Sequence, residues 1–392
     1  LYASSDIMPA AADAGGSGVT LSRVREDAEY SLRVSLGPAG SAFSAPARIH
    51  LRRGTRGLSA EITPRPVPEA LWFHSRLLGF APREIEVRGL PPGGALEILL
   101  EPRPEWGSSS SSFAPVPSDI GMILAASGGS SRHPDFEVFR WSLFPGVLIF
   151  DSRDYTVQKR LFHRLAFFVE KTGFRGKLHP NADIWARHGW NAHNYNAEGL
   201  AGFYNAAREA GFALNAEETW LAGYLVSQGV LRKDGEVFIP VAGGVLGISR
   251  EASPQTRSLL LTHEAFHGAY YGLPEFRGLV ENTWEGLPEE QKEFWRFYFT
   301  WMGYDTGDHY LLVNEFQAYL LQQPLSQLEA QYKVVIAGRL CAGYPEREAW
   351  LESLFAKYPD MFSRPARVFS DYLEKTTGLR AGNVESLAPF SF

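Results

Sequence analysis

Apolar and polar residues alternate with period two over the first hundred positions, and then give way to stretches that repeat every three or four. Tyr30, Leu32, Val34 and Leu36 alternate with polar neighbours, as do Ile49 and Leu51, then Leu58, Ala60 and Ile62, then Ile85 and Val87, then Leu96, Ile98 and Leu100. Gly and Pro punctuate the gaps, as in "RRGTRG" and "LPPGG". Short alternating runs of this kind predict antiparallel strands with one buried face. The expected arrangement is a β-sandwich-like accessory domain over 18–104, preceded by a small-residue flexible leader over 1–17. The segment "EPRPEWGSSSSSFAPVPSD", with five consecutive serines at 108–112 between prolines, predicts a linker over 105–118.

Beyond the linker the pattern is mixed. "GVLIFDSRDYTVQKRLFHRLAFFVEKTG" predicts a buried strand ending near Asp151, then a helix with Val157, Leu161, Leu165, Phe168 and Val169 on one face and Gly173 as its stop. Asp151 reads as a cap and His163 as a surface residue. "NAEGLAGFYNAAREAG" predicts a helix capped by Asn196, and "AEETWLAGYLVSQG" another. "DGEVFIPVAGGVLGISRE" reads as extended, and Ser253-Pro254 after it as a cap with a first-turn proline. The fold class expected is therefore α+β: antiparallel sheets first, then a mainly helical domain with a small sheet over 119–392.

The composition fits a folded protein of more than one domain. The 392 residues are 45% hydrophobic, 21% charged and 13% aromatic. A net charge of -6, with no Lys/Arg block, provides no field for holding a phosphate backbone, so nucleic acid is not an expected partner. No apolar run is long enough to span a bilayer. Cys341 is the single cysteine, which excludes an intrachain disulfide or a thiolate-rich zinc site. The start, "LYASSDIMPAAADAGGSG", lacks an initiator Met and reads as processed. Together with the β-rich front part it sets an expectation of export, to a periplasm, envelope or extracellular setting.

The chemistry concentrates in "PQTRSLLLTHEAFHGAYYG", a helix of about 18 residues from Pro254 that ends at a glycine. His263 and His267 lie one turn apart on one face, with Glu264 one step around the cylinder. Two neutral imidazoles and an adjacent carboxylate are what a hydrolytic zinc centre needs, the carboxylate serving as general base. Leu259, Leu260, Leu261, Ala265 and Phe266 around the pair imply burial, where unpaired imidazoles would incur a desolvation cost. A third ligand is needed. Tyr270 and Leu273 occupy the positions of the glycine and last histidine of the metzincin pattern, which excludes that subclass. "HYLLVNEFQAYLLQQP" offers Glu315 as the one carboxylate on an otherwise apolar helix, with Ala318 one turn on leaving room for close approach. Glu275, Glu281, Glu285, Asp305, Asp308 and His309 in the intervening segment are rivals, and "LPEEQKEFWRFYFTWMGY" within it reads as an amphipathic helix with a core-facing aromatic stripe.

In these residues the chain resembles the gluzincin metallopeptidases. His263, Glu264 and His267 match the first signature of that family, and Asn314-Glu315 with Ala318 is similar to its glutamate helix. The resemblance covers about 70 residues. It implies one Zn²⁺ held by His263, His267 and Glu315, Glu264 as general base and acid, and a protein or peptide substrate. It departs from thermolysin-like members in spacing, since residues 268–314 intervene before the glutamate. A Tyr or His donates to the oxyanion in this family, and Tyr319, His309 and Tyr310 are the candidates, with catalytic roles expected of Tyr319 and His309. An upstream strand serves as the exposed edge for an extended substrate, and "GGVLGISRE" is the expected one. "WARHGWNAHNYNAEG", with His188 and His193, reads as a loop lining the cleft. The competing expectation is a noncatalytic envelope or surface protein, with a structural or vestigial zinc site and a front domain that binds a surface partner.

Overall fold

The computed structural model describes residues 8–10, 17–20, 30–35, 47–62, 71–74, 78, 80, 82–89, 96–102, 114–125, 131–385 and 387–390. Two compact units emerge: Leu1–Arg153 with Leu373–Leu379 and Val384–Phe392, and Asp154–Tyr372 with Arg380–Asn383. Most of the expected linker, 105–113, and Leu36 lie outside the described residues.

The first unit is built on antiparallel pairing. Its strands are β1 (Met8–Ala10), β2 (Ser17–Thr20), β3 (Tyr30–Ser35), β4 (Ala47–Arg53), β5 (Arg56–Ile62), β6 (Leu71–His74), β7 (Glu84–Arg88) and β8 (Leu96–Pro102). One sheet runs β1-β8-β3-β6 and another β5-β4-β7-β2. The alternation predicted from sequence is what buries Ile49 and Leu51 in β4 and Ile85 and Val87 in β7. These sit opposite one another in register, Ile49 across from Val87 and Leu51 across from Ile85. Met8–Ala10, within the stretch expected to be a loose leader, pairs with β8. Further along, β9 (Val116–Ser118) runs parallel to β10 (Phe136–Trp141), which pairs antiparallel with β11 (Val147–Ser152), and a short helix α1 (Ile120–Ala125) follows β9.

The second unit opens with α2 (Tyr155–Val169), capped by Asp154, whose side chain accepts from the Val157 N–H at 2.8 Å. Asp154, not Asp151, is thus the cap; Asp151 lies inside β11 and is buried. His163 is buried as well, contrary to its surface reading, because α2 is covered on more than one side. After α3 (Asn181–Ile184) comes β12 (His193–Asn196), then α4 (Ala197–Glu209), capped by Asn196 as expected, and α5 (Ala216–Ser227), closed by a capping box between Asn215 and Glu218. A hairpin of β13 (Leu231–Asp234) and β14 (Val237–Pro240) leads to β15 (Gly244–Ser249).

All six residues of β15 are buried, and β12 pairs along it antiparallel, His193 opposite Gly247 and Asn196 opposite Gly244. The expected substrate edge is therefore covered, and the edge position belongs to β12. The glycines explain why. A Cβ at Gly244 would stand 2.3 Å from the Tyr195 carbonyl oxygen, and one at Gly247 would stand 2.9 Å from the Phe162 ring, so only glycine lets β12 and α2 close on this strand.

Helices make up most of the remainder of the unit, the first four being α6 (Pro254–Gly272), α7 (Pro274–Glu285), α8 (Glu289–Met302) and α9 (His309–Leu321). Ser253 caps α6 and Pro254 takes its first turn. Residues 261–270 are buried, while Leu259 is exposed. The aromatic stripe of α8 is core, as predicted: Trp295 meets Phe316 and Phe299 meets Tyr319, both on α9. The last strand, β16 (Leu387–Phe390), returns to the first unit and pairs antiparallel with β5.

Candidate metal centre

Two helices carry the site. On α6, His263 and His267 are one turn apart, and their Nε2 atoms lie 3.1 Å from each other. On α9, Glu315 places Oε2 3.4 Å from the His263 Nε2 and Oε1 3.7 Å from the His267 Nε2. The edge of a tetrahedron around an ion with metal–ligand bonds of zinc length is ~3.3 Å. All three side chains are buried.

The tautomers follow from the outer contacts. The Nδ1 of His267 faces the Asn314 Oδ1 at 2.9 Å, and that of His263 faces the Gln322 Oε1 at 3.1 Å. The Asn314 amide is itself oriented by Gln317, whose Nε2 donates to its Oδ1 at 3.3 Å and to its carbonyl at 3.0 Å. With acceptors opposite both Nδ1 atoms, each ring carries its proton there and turns an Nε2 lone pair inward. Two imidazole lone pairs and a carboxylate thus converge with no proton to share, and the Glu315 Oε2 has no hydrogen-bond partner among the described residues. Burial lowers both histidines to about 4, which keeps them neutral and able to ligate. Such a cluster is costly unless a cation compensates it, so the residues present fit a metal ion.

Glu264 lies beside the triad without belonging to it. It is buried, and its Oε2 has no partner among the described residues. Burial, then the charges of Glu315 and Glu170, push its carboxyl well above the usual range, opposed by the amide of Asn194. Asn194 comes from β12 and also accepts from the Tyr271 hydroxyl.

The sequence candidates divide by helical geometry. Tyr319 is four residues from Glu315, about 40° around the helix. Its ring stands edge-on to His263 at 4.6 Å, and its hydroxyl is 3.4 Å from that of Tyr304. His309 is six residues away, about 240° around, and faces outward. It is exposed, with Nε2 3.5 Å from the Glu285 carboxylate, so it is not brought to the triad. Tyr310 instead accepts from the Asn196 amide at 3.0 Å. Among the rival ligands, Glu275, Glu281 and Glu285 are exposed and Asp308 caps α9, accepting from the Leu311 N–H at 2.6 Å.

Three nearby residues were not foreseen. Glu170, at the end of α2, is buried, and burial and then Glu315 push its carboxyl well up. Tyr304 favours the charged form of Glu315 through its hydroxyl. It is held by the Lys171–Tyr304 bridge and by stacking on Trp190 at 4.7 Å. Asn194 is the third. None has a local sequence signal, because each arrives from a distant element.

The chain matches no protein-family model, no curated protein and no solved structure.

Proposed function

We propose that this protein is a zinc-dependent hydrolase of amide bonds, a metallopeptidase with a zincin-like second unit and protein or peptide substrates. The observation that carries this reading is Glu264, a buried carboxylate with an unsatisfied oxygen, next to a His-His-Glu triad of which it is not a member. A purely structural ion needs its ligands and no such idle acid.

His263, His267 and Glu315 would hold the ion. Zinc bound there supplies Lewis acidity toward a carbonyl oxygen and toward water. Asn314 and Gln322 keep the two imidazoles in the ligating tautomer. Glu264 takes a proton at its free Oε2 and returns it to the amine nitrogen that departs, while Asn194 orients its carboxylate. Tyr319, beside His263, is the side chain we assign to donate a hydrogen bond to the oxyanion. An extended substrate would pair along β12, which has a strand neighbour on one side only among the described residues. The antiparallel sheets of the first unit would form a sandwich-like accessory domain that binds a surface partner, in an exported protein.

The test is Glu264→Gln in the full chain. The expected result is one zinc per chain by elemental analysis in both proteins, turnover of a casein or peptide library by the wild type, and a loss of at least ~10³-fold in the variant. Zinc bound equally with no turnover in either protein would favour the noncatalytic surface protein.

A further inference from the structure

We propose that the cavity at the start of β12 is a pocket for the carboxylate of a peptide, carried by an acidic side chain or by a free carboxy terminus. It encloses about 240 Å³. Its residues form an accepting floor and a cationic rim.

The floor is Gln158, His163 and His193, all buried. Gln158 donates its Nε2 to the Asn191 carbonyl at 2.9 Å, and its Oε1 has no partner among the described residues. His163 donates Nε2 to the Ile184 carbonyl at 2.9 Å, so its Nδ1 keeps a lone pair. Gly189 allows the loop to lie over that atom, since a Cβ there would stand 2.7 Å from it. His193 sets its Nδ1 2.8 Å from the Tyr195 hydroxyl, which donates onward to the Phe162 carbonyl at 3.4 Å. Its Nε2 is then the accepting atom. Burial holds both rings neutral at physiological pH, at about 4 and about 3. The floor therefore asks for donors.

The rim asks for an anion. Lys159 and Arg187 border the cavity, and no acidic residue does among the described residues. The Lys159 ammonium rests on the Trp185 carbonyl and ring, and the Arg187 guanidinium lies 5.2 Å over the Phe174 ring. Neither is ion-paired among the described residues, in a chain whose net charge is -6. A carboxylate next to an amide N–H, as on any residue of a peptide, satisfies rim and floor together. A phosphomonoester dianion brings charge but no donor, and leaves the floor unpaired. The pocket also adjoins the metal centre. Trp190 lines it and stacks on Tyr304, and His193 precedes Asn194 on the edge strand.

This inference rests on the peptidase reading for its meaning, as the recognition element of that substrate, and its test is chosen to be independent of turnover. Full-length Glu264→Gln protein is titrated by calorimetry with three blocked dipeptides: acetyl-Ala-Glu-amide, acetyl-Ala-Ala free acid and acetyl-Ala-Gln-amide. Phenyl phosphate, at a pH that keeps it a dianion, is a fourth probe. One carboxylate peptide should bind about tenfold or more tighter than the neutral one, and which of the two does so identifies the source of the carboxylate. Lys159→Met and Arg187→Met should each remove about that factor, with circular dichroism, zinc content and neutral-peptide binding unchanged. Equal binding of all three peptides, indifference to both substitutions, or phenyl phosphate binding tighter than either carboxylate peptide would overturn the assignment. Absence of wild-type peptidase activity would defeat the peptidase reading and leave this result standing.

Discussion

Asn314 decides which nitrogen of His267 faces the triad, although it offers no ligand atom of its own. Its Oδ1 holds the Nδ1 proton, and Gln317 holds its amide in turn. Asn314→Ala should therefore weaken zinc binding about 10–100-fold, read by competition with a chelator of known affinity, while helix content stays constant. Unchanged affinity would show that burial alone orients the ring. A second consequence concerns acid. For both His163 and His193, burial is the main cause of the lowered value, about 4 and about 3 against an ordinary 6.5. The unfolded chain takes up these protons near pH 6.5 and the folded chain only near pH 4 or below, so between those values the unfolded state binds more. Stability is then full above pH 6.5 and falls as the pH drops toward 4. Melting temperatures of the wild type and His163→Gln, compared between pH 7 and pH 4.5, should converge in acid. A constant difference would exclude a neutral buried imidazole at 163.

At the scale of elements, α2 is tied to α5 by one buried ion pair. Arg164 donates through Nε at 2.7 Å and through a second nitrogen to the two oxygens of Glu218, itself the closing residue of the α5 capping box. Both side chains are almost fully buried. Arg164→Met leaves the carboxylate unpaired in the core and should cost about 3–5 kcal/mol, measured by urea unfolding, whereas removing both charges should recover part of it. That pairing was invisible in the sequence, although both helices were legible. The difference is physical. A helix announces itself locally, through its apolar period and through caps such as Asn196 and Ser253, and the His263–His267 spacing is a property of one helix alone. Glu315 was readable because a lone carboxylate in an apolar run must have a reason. Glu170, Tyr304 and Asn194 gave no such signal, since their proximity to Glu264 and Glu315 depends on chain closure between distant elements. The exchange of β15 for β12 as the edge has the same origin: "GGVLGISRE" and "NAHNYN" are both extended, and only the contacts of Gly244 and Gly247 decide which is covered. His309 is separated from Tyr319 by rotation around α9, a helical offset already implicit in their spacing from Glu315.

For the molecule as a whole, the triad links metal to stability. Without an ion, the folded second unit holds two inward lone pairs and the Glu315 carboxylate, with burial raising its carboxyl above the usual range. A cation that binds this arrangement and not the unfolded chain stabilises it by RT ln(1 + [L]/Kd), about 4 kcal/mol at a thousandfold excess over Kd. For a unit of this size that corresponds to roughly 10 °C in melting temperature. Two compact units allow two thermal transitions, and only the one belonging to Asp154–Tyr372 should respond. Calorimetric scans with added zinc and with a chelator should show that transition moving while the other stays in place. His267→Ala should abolish the response, and Glu264→Gln should keep it, because Glu264 is no ligand. The two variants together separate holding the ion from using it. If Glu264→Gln lost the zinc response along with His267→Ala, Glu264 would be a ligand, and its assignment to proton transfer would fail with the ion still in place.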